Sequence, residues 1–317
     1  MKGRVYYVSF FKKNWWGLVF GTALLGYSTF CVLDTFLIPK NVVSIDNYNE
    51  YPDSFTSSVS NDNNNNSGDN TGNIIVTDTS YTSDSVAINI TTLREYNTDI
   101  YVADVVIKDI SYLHAGLANG VFGRNITAKT SDIASDCDAI LAINGDYYGF
   151  RDYGPVIRNG YLYRSSARDS SSEALAIYND GNMKILKESD INTDSLLSDG
   201  VLQLFSFGPG LVENGNVAVS AGQEVDQSMT SNPRTAIGII APLHYVFVVY
   251  DGRTSASSGL SLLQLASVLR DLGCETAYNL DGGGSSTMYF MGNIINNPTT
   301  NGKTISERKV SDIVYIR

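Results

Sequence analysis

Only three cysteines and two histidines occur among the 317 residues. Cys31 lies in an apolar run, so Cys137 and Cys274 are the one pair left for a disulfide. Each also precedes an apolar, strand-like run where a buried thiol is equally ordinary, and the pairing stays open. Basic residues are the minority, 22 Lys and Arg against 33 Asp and Glu. The first 40 residues hold five of the basic residues and one acidic one, which leaves 22 − 5 = 17 against 33 − 1 = 32 and a net of −15 beyond them. A surface of that sign repels nucleic acid and anionic lipid at long range, so nucleic acid is excluded as a partner and an anionic substrate needs a local arginine cluster. No Gly-Lys-Ser/Thr follows GGGSS, which excludes a P-loop, and the third glycine of a dinucleotide fingerprint is missing. A serine hydrolase built on Ser285 and His244 fails because G-x-S-x-G is broken at Thr287. His244 opens a buried strand and reads as a core residue, while His114 falls in an irregular, exposed segment. No period of 20–50 residues repeats.

What is present begins at the N-terminus. Lys2, Arg4, Lys12 and Lys13 precede a run from Trp15 to Leu33 without a charge, long enough with TFLIP to cross a bilayer of ~30 Å, and Trp15 and Trp16 stand where an aromatic belt would. No small-x-small cleavage site follows, which favours an uncleaved anchor over a signal peptide. The expected order is a cytoplasmic N-terminus over residues 1–13, a transmembrane anchor over 14–38, a polar linker over 39–84 and a folded extracellular domain over 85–317. SNDNNNNSGDNTGN lacks aliphatic and aromatic residues and reads as a flexible spacer.

Within the domain, VIRNGYLYR, AIYNDGNMKIL, LVENGNVAV and YFMGNII place Asn-Gly, Asp-Gly or Gly-Asn between apolar alternations, the turn chemistry of hairpins. RTAIGII and HYVFVVY read as another hairpin. Leu262, Leu265, Ala266, Leu269 and Leu272 recur at helical spacing with Gly273 as the stop. A short helix near Thr130–Asp136 precedes AILAINGDYY. The fold class is α+β, with mixed, mainly antiparallel sheets and a few helices.

AILAINGDYY and TAYNLDGGGSS share a pattern of helix, buried strand, Asn and a glycine-rich exit, with Asp146 and Asp281 at the strand ends, where scaffolds present functional groups. The plainer reading is an Asx-turn at each. Arg234, Arg253 and Arg308 edge apolar runs and suit phosphate or carboxylate recognition, and a hairpin brings Arg234 and Arg253 to the same end of adjacent strands. Asp and Asn oxygens are also a donor set for a divalent cation; no cofactor is assigned. N-I-T at Asn89 and Asn125 matches the glycosylation sequon.

AINGDYYGF, FGPGLVENG, NPRTAIG, the run from YDGRTS to NLDGGGSSTM, and ERKVSDIV occur in the order expected of the phosphodiester glycosidase family, over roughly Tyr101 to the C-terminus. The chain resembles this family, which contains the enzyme that uncovers mannose 6-phosphate and bacterial envelope members associated with exopolysaccharide. Its first motif reads NGDYY where the animal members have NGGFF, so no role for Asp146 carries over. The resemblance implies hydrolysis of a sugar-1-phosphodiester at the sugar–oxygen bond, on a phosphoglycan or glycosyl-phosphodiester substrate. A phosphate leaving group, with a second pKa of about 6, departs with little acid help and calls for charge stabilisation. On that reading Arg234 and Arg253 hold the phosphate, with backbone N–H groups of Gly282, Gly283 and Gly284 and the hydroxyls of Ser285 and Ser286 as an anion nest, and Arg308 nearby. Asp281 or Asp146 activates water or attacks the anomeric carbon, Asn144 and Asn279 bond sugar hydroxyls, and Tyr147 stacks on a sugar face. The rival is a non-catalytic envelope protein that binds anionic glycan, and only the enzyme releases free sugar.

Overall fold

The computed structural model describes residues 3–45, 50–52, 74–225 and 231–317. The Asn-rich tract expected as a spacer, residues 60–73, lies outside the described residues. A helix runs over Gly3–Phe36, and its Trp15–Phe36 portion, with mean hydropathy 1.5, is long and apolar enough to cross a membrane, a property shared by anchors and signal sequences.

Strand-forming alternation builds three larger sheets, and every pairing among the described residues is antiparallel. The nine-stranded sheet runs, edge to edge, Asn216–Val217, Gly210–Glu213, Thr276–Leu280, Arg234–Ala241, His244–Tyr250, Thr98–Ile107, Val86–Glu95, Ser80–Thr82 and Ile75–Val76. A five-stranded sheet orders Asn293–Ile294, Met288–Phe290, Leu141–Asn144, Asp312–Ile316 and Leu113–Leu117, and a second orders Tyr161–Arg164, Val156–Arg158, Val201–Phe205, Glu173–Tyr178 and Met183–Lys187. The largest apolar cluster, with Val105, Leu141, Phe205, Phe247, Tyr278 and Val314 among its members, draws on all three sheets. Side chains alternate along a strand. Ile237 and Ile239 therefore face that core, while Ala236 faces a second cluster under the helix Leu262–Asp271. That helix starts with a capping box between Ser261 and Gln264 and ends before Gly273 at φ +87°.

The expected hairpins form at Asn159–Gly160, Asp180–Gly181, Asn214–Gly215 and Met291–Gly292. Three readings need correction, those of the linker, His114 and His244, and the open question of the cysteines is answered. Ile75–Val76 and Ser80–Thr82 fall in the tract read as linker, yet they extend the nine-stranded sheet, and Lys40–Val43 pairs with Phe122–Arg124. Short apolar pieces find a partner edge there that no local pattern announces. Cys137 and Cys274 pack in different clusters, one near the Thr130–Asp136 helix and one under Leu262–Asp271, and no disulfide joins them. His114 is buried at 2% exposure on Leu113–Leu117, stacked between Tyr51 and Tyr315 at centroid distances of 5.1 and 5.3 Å. Burial pushes its pKa down to about 4. His244, read as a core residue, is half-buried and pairs with Asp104 at 2.6 Å.

Candidate functional site

The two Asp-bearing strand ends meet. Leu141–Asn144 and Thr276–Leu280 lie in different sheets, and the exits after them are tied by Asp281 N–H donating to Gly145 O at 3.2 Å and Asn144 Nδ2 donating to Asp281 O at 2.7 Å. Asp281 is 9% exposed. Its Oδ1 accepts the Gly282 N–H at 2.9 Å, and Oδ2 accepts Ser285 Oγ at 2.6 Å and Arg308 Nη2 at 3.2 Å. Burial raises the Asp281 pKa above the usual aspartate range, against the opposing pull of Arg308 and of the bonds from Ser285 and Gly282.

Arg308 is the cation of the site. Nε and Nη2 donate to Ser285 Oγ at 2.9 and 2.7 Å, Nη2 also donates to Gly282 O at 3.1 Å, and the side chain remains 40% exposed. Arg253 lies across Gly283, where its guanidinium donates to Asn232 Oδ1 at 3.0 and 3.1 Å and to Thr300 O at 2.7 Å. It has no carboxylate partner among the described residues. Burial and then the like charge of Arg308 lower its pKa. Two guanidinium groups that repel each other, with Asp281 bonded to one of them, form a local cationic cluster on an otherwise acidic chain.

Arg151 completes the surroundings and was not singled out from sequence, although it stands in the same strand-end loop as Asp146. Its guanidinium packs 5.2 Å from the Tyr147 ring centre and 5.1 Å from that of Phe207, and Nη1 donates to Ser206 O at 2.8 Å. Tyr147 stacks on Phe150 at 4.7 Å.

Arg234, Asp146 and Asn144 are spent on the chain itself, whereas Asn279 Oδ1 and Ser286 Oγ are buried without a hydrogen-bond partner among the described residues. Arg234 is in register with Ala236, so its side chain leaves the sheet on the helix side, ion-pairs with Glu224 and donates to Leu260 O at 3.3 Å. It is 3% exposed, and its Cα and Cγ lie 3.4 and 3.7 Å from where a Cβ on Gly282 would stand. Asp146 is fully enclosed: Oδ1 accepts the Tyr148 N–H at 2.8 Å, and Oδ2 accepts Arg158 Nη2 and the Ser206 N–H, each at 2.9 Å. Burial works to raise its pKa, but Arg158 and these donors hold it below the ordinary value. The same Arg158 bonds Asp312 at 2.8 Å, and with one guanidinium shared by two buried carboxylates, burial and Asp146 push Asp312 up to about 8. Asn144 Oδ1 accepts from Thr235 Oγ1 and Thr287 N–H, which leaves nothing for a sugar. Asn279 Nδ2 donates to Gly208 O on the helix side of the sheet, and Ser286 is enclosed with a 0% exposed side chain.

Crowding requires the glycine triplet, and two of its three N–H groups are already taken. Gly282 and Gly283 N–H groups already donate to Asp281 Oδ1 and Pro233 O. A Cβ on Gly282 would lie 2.9 Å from Pro233 O, one on Gly283, at φ +62°, 2.9 Å from Arg253 Nη2, and one on Gly284 would overlap Thr300. Among the described residues no three His, Cys, Asp or Glu side chains converge as a metal site.

Comparison with known proteins matches residues 138–317 to the phosphodiester glycosidase family. The SPbeta prophage-derived uncharacterized protein YomE of Bacillus subtilis (strain 168) is 31% identical over 182 residues, covering 56% of this chain and 28% of that protein. The N-acetylglucosamine-1-phosphodiester alpha-N-acetylglucosaminidase of Mus musculus is 27% identical over 215 residues, 61% of this chain and 40% of the enzyme. The chain thus spans less than half the length of these relatives. In fold it is similar to the auto-inhibited catalytic domain of the zebrafish enzyme of the same name, with TM-score 0.57 and 21% identity over 73% of this chain and 82% of that domain.

Proposed function

Since the chain belongs to the phosphodiester glycosidase family, we propose that the Asp281 site hydrolyses a sugar-1-phosphodiester at the sugar–oxygen bond, releasing free sugar and a phosphomonoester. The observation that carries this reading is the convergence of Asp281, Ser285 and Arg308 within 3.2 Å of one another, with Arg253 across Gly283. Arg308 and Arg253 take the phosphate and stabilise its charge as the bond breaks, which a leaving group of low pKa needs more than a proton donor. Asp281 is the carboxylate that activates water or attacks the anomeric carbon, and burial makes it a stronger base than a solvated aspartate. Tyr147 and Phe207, steadied by Arg151, form the apolar side against which a sugar face packs. Asp146, with Arg158 and Asp312, positions the loop rather than touching substrate.

The apolar N-terminal helix, preceded by cationic residues, anchors the protein in the cell membrane with the N-terminus inside and the domain outside. The substrate is then a glycosyl-phosphodiester of the cell envelope or exopolysaccharide.

The test incubates the full-length protein, in detergent, with nucleotide sugars and small glycosyl-1-phosphodiesters in 18O-labelled water, with and without chelator. Labelled free sugar that disappears with Asp281→Asn is expected. Label in the phosphate identifies a phosphodiesterase and overturns the reading, as does the absence of any sugar release.

A further inference from the structure

A pocket of about 160 Å3 opens beside the loop that carries Arg151, lined by Asn41, Phe122, Arg124, Arg151, Tyr163 and Arg164 with Gly123, Tyr148 and Asp152. None of Asp281, Ser285, Arg253 or Arg308 lines it. Exposed Asn41 and Asp152 mark its mouth, and buried Phe122 and Tyr148 its floor. Phe122 stacks between Tyr148 and Tyr163 at 4.7 and 4.9 Å.

Its charge is unbalanced. Three guanidinium groups face one carboxylate, and that carboxylate, Asp152, is taken by Arg124 at 2.5 Å. Neither Arg151 nor Arg164 makes a direct ion pair among the described residues; Asp146, already bonded to Arg158, acts on both only through space, and a largely buried cation without a contacting counter-charge is costly. Donors are left over as well: Arg124 Nε, Arg164 Nη2 and the Tyr163 hydroxyl are buried without a hydrogen-bond partner. Buried polar groups are normally satisfied, so three orphans around one cationic hollow point to a missing acceptor. At ~30 Å3 per water the volume admits about five waters, or a phosphoryl group with a short organic stub.

Location narrows the source. Asn41 belongs to the Lys40–Val43 strand just beyond the apolar helix, and Asn125, next to Arg124, donates to Thr35 O and Ile38 O at the end of that helix. With the helix in a bilayer, the mouth lies at the headgroup layer.

We propose that this pocket is an anion site for the phosphoryl group of a small phosphate ester, either a phospholipid headgroup or a soluble phosphomonoester. The guanidinium groups and the Tyr163 hydroxyl donate to its oxygens.

The experiment uses full-length protein carrying Arg308→Ala, so that binding at the Asp281 site does not contribute, reconstituted in nanodiscs. Calorimetric titration of glycerol 3-phosphate into phosphatidylcholine discs reads the soluble source. Thermal unfolding in phosphatidylcholine discs with and without phosphatidylglycerol reads the lipid source. Binding of glycerol 3-phosphate that weakens roughly tenfold with Tyr163→Phe and with Arg124→Gln assigns a soluble ligand, and a higher melting temperature with phosphatidylglycerol alone, lost in the same variants, assigns the headgroup. Tyr163→Phe removes only an unpartnered hydroxyl and keeps the stack, so the ligand-free protein should be no less stable. No response to either probe, or a response unchanged by both variants, overturns the proposal.

Discussion

Arg308 meets Asp281 at 3.2 Å although 27 positions of chain separate them, and both reach the same hydroxyl, that of Ser285. The contact joins a cation that water still touches to a carboxylate that burial has made more basic. Replacing Arg308 by Ala should lower kcat/KM by about 10²- to 10³-fold, the cost of losing one donor to a developing anion, with Lys restoring only part because it lacks the planar fork. A partly exposed ion pair contributes little to stability, so the melting temperature should move by no more than a few degrees. Steady-state kinetics beside thermal unfolding separates the two effects.

The Asp281 pKa sets the acid limb of the pH profile. The ionised carboxylate is the active form, so kcat/KM should rise with pH through an inflection above the ordinary aspartate range. Arg308 pulls that pKa down, and Arg308→Lys, which keeps the charge but loosens its placement, should shift the limb to higher pH. An inflection at or below the usual aspartate value would remove Asp281 from the role of base.

Arg234 separates a structural reading from a catalytic one. Its guanidinium and Glu224 are both largely buried, so Arg234→Ala strands a carboxylate and should cost about 3–5 kcal/mol of folding stability. Denaturant unfolding measures this. A variant of unchanged stability with abolished turnover would return Arg234 to the site.

Asp312 makes stability fall as pH rises. Its pKa is pushed up to about 8 in the fold, against 3.8 for an ordinary aspartate, so between those values the folded state holds a proton that the unfolded chain has released. This contribution is fully present below about pH 4 and is lost as pH rises through about 8, with a slope near 1.4 kcal/mol per unit. Asp312→Asn should flatten stability over that window by the same slope, read as the difference between wild-type and variant unfolding curves at each pH. Parallel curves would show that Asp312 is ionised in the fold.

Much of the architecture is written in short-range rules. The Asn-Gly and Asp-Gly turns, the Ser261 cap and the Gly273 stop each act within a few residues, so the hairpins and the helix Leu262–Asp271 follow from their own segments. The likeness of the two Asp-bearing strand ends was also legible, because both segments repeat one pattern of buried strand, Asn and glycine-rich exit; the exits bond each other, while Asp146 itself is enclosed around Arg158. The strand Ile75–Val76 at the edge of the nine-stranded sheet and the two-stranded ladder of Lys40–Val43 with Phe122–Arg124 were not, since such a strand is recruited by whatever backbone stands open beside it.

Composition and local pattern therefore determine the acidic surface, the apolar N-terminal helix, the antiparallel α+β framework and the identity of the motif-bearing loops. Which side chains in those loops face one another is a matter of stacking. Arg234 and Thr235 are neighbours in the chain, yet strand alternation sends one to Glu224 and the other to Asn144, and no local signal says which side holds the second sheet. The same stacking closes Asp146 around Arg158 and leaves Asp281 near the surface with Arg308, because burial and charge pairing are properties of distance in space, which separation along the chain does not encode.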